Sequence, residues 1–230
     1  MTGTKPKAAP LRSNIGCVNA DALALRSDKK GVSIYGPFEA GFSSAQMSCL
    51  GSNSLPGGID TQLAEMVMSK YCAKEISLLD YCGGHTNYHY HEHMSCLYKN
   101  ETSGHSSRIG TAGDGNGIYG PYIAGGVMPT DLDGCGGRTG ITPDSNGVAV
   151  YYYPVKEYAP FTVGCFGPGT LEQCKALYPG CNTVDISVTT NYGTGKYKLD
   201  GPCFDANCSK TAGNSGRPGF MAPIAGSVFT

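Results

Sequence analysis

Short apolar stretches bounded by Gly, Pro, Asn and Asp set the rhythm of this chain, and most alternate with period two. VSIYG (32–36), TNYHYHEHM (86–94), GIYGPY (117–122), VAVYYYPV (148–155), FTVGCF (161–166), DISVTT (185–190) and KYKLD (196–200) read as strands between turns. Two stretches break the alternation. Leu63, Val67 and Tyr71 recur at helical spacing in a segment free of Gly and Pro, which predicts a helix capped by Asp60. Thr170-Leu171-Glu172-Gln173 is a capping box and predicts a short helix stopped by Pro179-Gly180. The expected fold is mainly β, an antiparallel sandwich or distorted barrel with two short peripheral helices and disulfide support. Residues 15–208 form this single domain. Residues 1–14 and 209–230 are extended arms whose unpaired ends suit strand donation to a neighbouring copy, hence a homo-oligomer or polymer.

One pattern returns. Ile34-Tyr35-Gly36-Pro37 reappears as Ile118-Tyr119-Gly120-Pro121. Each copy is followed by a cysteine (Cys49, Cys135), a tyrosine-rich alternating stretch (88–91, 151–154) and another cysteine (Cys96, Cys165). The order predicts an internal duplication, with repeats at about 32–96 and 116–166.

Composition narrows the class. Only 15% of the 230 residues are charged and the net charge is −1, which gives no electrostatic footprint for nucleic acid. No apolar run approaches the length of a membrane span. Eleven cysteines occur without a single C-x-x-C, which excludes zinc-ribbon and thioredoxin readings and favours disulfides made in an oxidising compartment. Cys82, Cys96, Cys135, Cys165, Cys174, Cys181, Cys203 and Cys208 are the candidates; their pairing is open, and the odd total leaves one thiol over. Asn100 and Asn207 lie in N-x-S/T sequons and are candidate glycosylation sites. The expectation is an extracellular or cell-surface glycoprotein. The first seventeen residues lack an apolar h-region, so that reading places a removed leader ahead of residue 1.

The chemistry concentrates in one place. All five histidines, at 85, 89, 91, 93 and 105, fall within 21 positions. On a straight strand His89, His91 and His93 share one face, opposite Tyr88, Tyr90 and Glu92. Neighbours on that face stand about 6.6 Å apart at Cα and the outer pair about 13 Å, so only two adjacent members can share one ion. A third ligand has to come from elsewhere. His89, His91 and His105 are therefore the leading metal set, with His93 and Asp114 as further candidates, Asp131 and Asp133 in Gly-rich loops, and His85 the one remaining histidine. Imidazole donors suit Zn or Cu. Three Asp-Gly loops (113–117, 131–134, 143–147) could offer oxygens to Ca, but Asx turns explain all three without a metal and are the favoured account. No G-x-S-x-G elbow is present, and no catalytic residue is assigned. Two alternatives to a structural or adhesive module follow: a Zn- or Cu-dependent enzyme built on His89, His91 and His105, and a carbohydrate-binding module using exposed tyrosines at 151–153.

YHYHEHMSCL (88–97), GHSSRIGTAGDGNGIYGPY (104–122), DLDGCGGR (131–138) and VYYYPVKEYAPFTVGCF (150–166) occur in this order. Together they resemble the YHYH domain family over roughly residues 80–166. The resemblance implies an extracellular, metal-binding β module. It places the family's first motif on Tyr88, His89, Tyr90 and His91, its histidine-serine motif on His105 and Ser106, and its aspartate-glycine segment on Asp114 and Gly115. It also implies that Cys135 pairs with Cys165. The chain departs from the family where many members carry a second histidine-bearing copy: here the residues are Tyr151-Tyr152-Tyr153-Pro154.

Overall fold

The structure is a computed structural model that describes residues 5–9, 14–18, 31–36, 78–85, 87–91, 94–98, 103–156, 161–178, 185–190, 193–198 and 203–204. Its centre is an eight-stranded sheet built from β2 (Asn14–Val18), β3 (Ser33–Tyr35), β4 (Gly84–His85), β5 (His89–Tyr90), β6 (Arg108–Ala112), β7 (Gly117–Tyr119), β8 (Arg138–Ile141) and β9 (Ala149–Pro154). The order across the sheet is β4-β5-β3-β2-β6-β7-β9-β8. Two small ladders flank it: β1 (Lys7–Ala8) with β10 (Cys165–Phe166), and β11 (Asp185–Thr190) with β12 (Gly193–Lys198).

The mainly β expectation holds, but the sheet is mixed. β3 runs parallel to β5, with Ile34 opposite Tyr90, and β7 runs parallel to β9, with Ile118 opposite Tyr153. Alternating residues predict that a strand exists and which face it buries; they do not encode the direction of its neighbour. The described strands close no barrel. One short helix, α1 (Leu171–Leu177), sits where the capping box predicts it: Thr170 Oγ1 accepts from Gln173 N, and Gln173 Oε1 accepts from Thr170 N. The expected helix after Asp60, the sequons at Asn100 and Asn207, Cys181 and Cys208, and most of both terminal arms lie outside the described residues.

The strand order is a palindrome. β2, β3, β4 and β5 match β6, β7, β8 and β9 in turn, and the two sets meet at the antiparallel β2–β6 pair. The match reaches single residues. β2 bulges between Asn14 and Gly16 against β3, and β6 bulges between Arg108 and Gly110 against β7. At the seam Cys17 faces Thr111, while Gly16 faces Ala112 and Val18 faces Gly110. The correspondence therefore begins one strand earlier than Ile34 and Ile118, at Asn14-Ile15-Gly16 and Arg108-Ile109-Gly110.

The two outer hairpins start from the same knot. Asp80 Oδ1 accepts from the amides of Cys82 and Gly84 at 2.9 and 3.2 Å, and its Oδ2 accepts from Tyr88 Oη at 2.7 Å. Asp133 Oδ1 accepts from Cys135 and Gly137 at 2.9 and 3.1 Å, and its Oδ2 from Tyr151 Oη at 3.0 Å. Gly83 and Gly136 sit in the left-handed region at φ 80° and 82°, which glycine enters without penalty. Disulfides Cys82–Cys96 and Cys135–Cys165 anchor these turns, and Cys174–Cys203 holds α1.

One sheet face makes the core. Ile34, Tyr90, Ile118 and Tyr153 are fully buried in one cluster with Ile109, Val155, Val163 and the six paired cysteines. Complete burial of each Ile is worth about 1.5–3 kcal/mol. Tyr153 Oη is also tied down: it donates to Asp114 Oδ2 at 2.6 Å and accepts from Gly167 N at 2.8 Å. Burial, with Asp114 beside it, raises the Tyr153 phenol well above its ordinary range, so it stays protonated.

Lys156 is buried as well, with Nζ donating to Thr162 O at 2.7 Å and Gly136 O at 3.2 Å. Burial pushes its ammonium down to about 7, against an opposing pull from Asp133. The folded value lies below the unfolded one, so between about pH 7 and 10 the unfolded chain binds the extra proton. Stability should therefore rise with pH from about 7 to 9, by at most about 1.4 kcal/mol per unit. Urea midpoints across that window will show the rise in the native chain and its disappearance in Lys156→Met. Asp133→Ala strands three amides (Gly169 N included) and takes one of two acceptors from the Tyr151 phenol, and should cost about 3–4 kcal/mol in the same assay.

Candidate metal centre

HTNYH folds back on itself rather than running on as a strand. Asn87 takes φ 56°, a left-handed turn conformation that Asn tolerates, and the chain reverses between β4 and β5. His85 then lies directly across the ladder from His89. His91 follows two residues after His89, on the same side as both. Gly84 is needed for this closeness, because a Cβ there would meet His89 O and the Tyr88 ring at 2.8 Å.

The three imidazoles converge. Each offers a ring nitrogen, and these nitrogens all lie within 4.8 Å of one another. His85 and His91 stack with centroids 5.2 Å apart, and His89 stands edge-on to both at 4.4 and 4.7 Å. Donors on one tetrahedral zinc sit about 3.3 Å apart, given bonds of about 2.0–2.1 Å, so modest ring rotation closes the set on an ion. His91 is buried, whereas His85 and His89 are half-buried.

Backbone carbonyls orient the rings. His91 Nδ1 bonds Gly36 O at 2.7 Å, and His89 Nδ1 bonds Asn87 O at 2.9 Å. A carbonyl only accepts, so Nδ1 carries the proton in each and Nε2 carries the lone pair a metal needs. Metal-binding histidines are held this way by their second nitrogen. The Tyr35 ring packs on His89 at 4.1 Å and reaches His91 at 5.8 Å, walling the group from β3.

The third member of the histidine group differs from the sequence-based choice. His105 lies against Tyr152 and Tyr119, with Nδ1 on Ser106 O at 2.8 Å and Nε2 on Tyr152 Oη at 3.1 Å. Both of its nitrogens are committed there, and His85 completes the histidine group instead. Spacing along a straight strand does not allow for the hairpin, whose signal in the sequence is Asn87 in a short turn after Gly83-Gly84. His93 lies outside the described residues. Asp114 is engaged by Tyr153 Oη, Gly167 N and Asn116, and Asp131 makes a two-point pair with Arg138. All three Asp-Gly loops use their carboxylates in this way, since Asp144 accepts from the Tyr119 and Thr142 hydroxyls. Among the described residues no group of three or more carboxylates converges.

Of the tyrosines proposed as a glycan platform, Tyr152 is fully buried against Tyr119 and His105, Tyr153 is fully buried in the core cluster, and Tyr151 is half-buried with its Oη bonded to Asp133 and Gly167. Among the described residues no helix is long and apolar enough to cross a membrane.

Comparison of the chain with protein-family models, curated proteins and solved structures finds no match.

Imidazoles bind metal only as neutral bases, so Zn(II) uptake should fall as the pH is lowered from about 7.5 to about 5. In competition with a zinc-responsive dye, His85→Ala and His91→Ala should each weaken binding at least about tenfold. His105→Ala should leave it unchanged. The reverse pattern would restore His105 as the ligand.

Proposed function

We propose that this protein is an extracellular, disulfide-stabilised β module of structural or adhesive role that carries a transition metal, Zn(II) or Cu(II), on His85, His89 and His91. The convergence of three imidazoles within 4.8 Å, two of them fixed in the ligating tautomer, carries the reading. Three disulfides among the described residues favour an oxidising compartment. The resemblance to the YHYH domain family points the same way. The terminal arms, as strands offered to neighbouring copies, are the proposed route to assembly.

One observation favours a second reading, a metal-dependent enzyme. Three protein ligands leave one position of a tetrahedral ion open, as catalytic zinc sites do, and two of these histidines are half-exposed.

Native protein purified from its producing cells without chelator tests both. The first reading expects about one Zn or Cu per chain, intact disulfides, and association that disappears when residues 1–14 and 209–230 are trimmed. Protein free of transition metal ends both readings. A monomer indifferent to trimming ends the assembly part. Hydrolysis of an activated ester by the zinc-loaded protein well above free zinc, lost in His89→Ala, would favour the enzyme.

A further inference from the structure

The palindromic sheet supplies an internal comparison for the histidine site. Asp80-Tyr81-Cys82-Gly83-Gly84-His85 corresponds to Asp133-Gly134-Cys135-Gly136-Gly137-Arg138 through identical turn bonds: Asp N to Gly O at 2.8 Å in both, and Gly N to Asp O at 2.9 and 3.0 Å. Ladder register then matches His85 with Arg138, His89 with Tyr152 and His91 with Pro154. Tyr35 matches Tyr119 in the adjoining strand.

At the matching place the second half holds a cation of its own. Arg138 Nη1 donates to Tyr152 Oη at 2.7 Å, directly across the ladder, and its guanidinium lies 5.7 Å from the Tyr152 ring centroid. Asp131 holds the same guanidinium at 2.8 and 3.0 Å. The phenol accepts from Arg138 and so presents its own hydrogen to His105 Nε2 at 3.1 Å. A tethered positive group thus bonds β8 to β9. The first half has no arginine in that row, and its outer ladder is shorter: two residue pairs join β4 to β5, against four joining β8 to β9.

We infer that a metal ion on His85, His89 and His91 is the first half's counterpart of the Arg138 guanidinium: it clips β4 to β5 across the shorter of the two outer ladders. This rests on the metal-binding reading above and adds a mechanical role to it. The clip joins groups on both strands of the hairpin, so occupancy sets how often residues 84–91 open. The equivalence also states which residues would replace the ion. Leu78 stands at the position of Asp131, two residues ahead of the turn aspartate, so Leu78→Asp, His85→Arg and His89→Tyr together rebuild the second half's arrangement in the first.

The test is amide hydrogen exchange on the full chain, with Zn(II) or with chelator, alongside elemental analysis of each sample. Zn(II) should slow exchange across 84–91 at least about tenfold while leaving 138–152 unchanged. Arg138→Ala should speed exchange across 138–152 even in the zinc-bound protein. The triple variant should bind no Zn(II) yet show the slow 84–91 exchange of the zinc-bound native chain. Zinc bound with no change in exchange at 84–91 overturns the clip and leaves the metal site standing; so does an Arg138→Ala chain whose second hairpin is unaltered. A native chain that takes up no zinc overturns the site and the clip together. Should the triple variant not fold, the native and Arg138→Ala measurements decide.

Discussion

A carboxylate accepting three hydrogen bonds at once determines where each outer hairpin of this sheet begins. Asp80 collects the amides of Cys82 and Gly84 and the phenol of Tyr88, and so fixes both ends of a turn and the strand that returns beside it. A bond to an ionised acceptor is stronger than its neutral equivalent, and three on one group leave little freedom of register. Register is what the histidines need. A slip of one residue would turn His85 to the opposite face and dissolve the group.

The same knot at Asp133 shows which parts of the unit are architecture and which are content. Both halves keep the aspartate, the Cys-Gly-Gly turn, the tyrosine that closes it and a disulfide at its base. Both keep an Ile opposite a buried Tyr in the parallel pair. The row on the opposite face of that frame is what changed: three imidazoles in one half, a guanidinium and a phenol in the other. The frame tolerates either because its stability comes from the turn bonds and the buried face.

Much of this was legible in the chain. The Ile-Tyr-Gly-Pro repeat and the order of tyrosine-rich stretches pointed to two related units, and period-two alternation placed β3, β9 and β11 within a residue or two but passed over β2, β6 and β8. The earlier start of the unit was hidden because β2 and β6 share only an Ile-Gly dipeptide, too little to notice without the ladder. Parallel pairing was hidden because alternation carries no direction. At the site, parity correctly set the histidines on one face, yet the rise along a straight strand made three ligands look impossible. A turn at Asn87 replaced distance along the chain with the short distance across a ladder. Tyr152 and Tyr153 misled for a related reason: aromatic residues in alternation look alike whether the faces they point to are open or covered.

The β2–β6 seam carries a consequence for origin. Its register is its own mirror under rotation, with Gly16 against Ala112, Cys17 against Thr111 and Val18 against Gly110. A lone ancestral unit would have ended in that strand, an open border complementary to itself. Two copies would have met there as a rotationally symmetric dimer before any linker joined them. Joined in one chain, the two copies need not share one sequence, and each half can carry its own row of polar side chains.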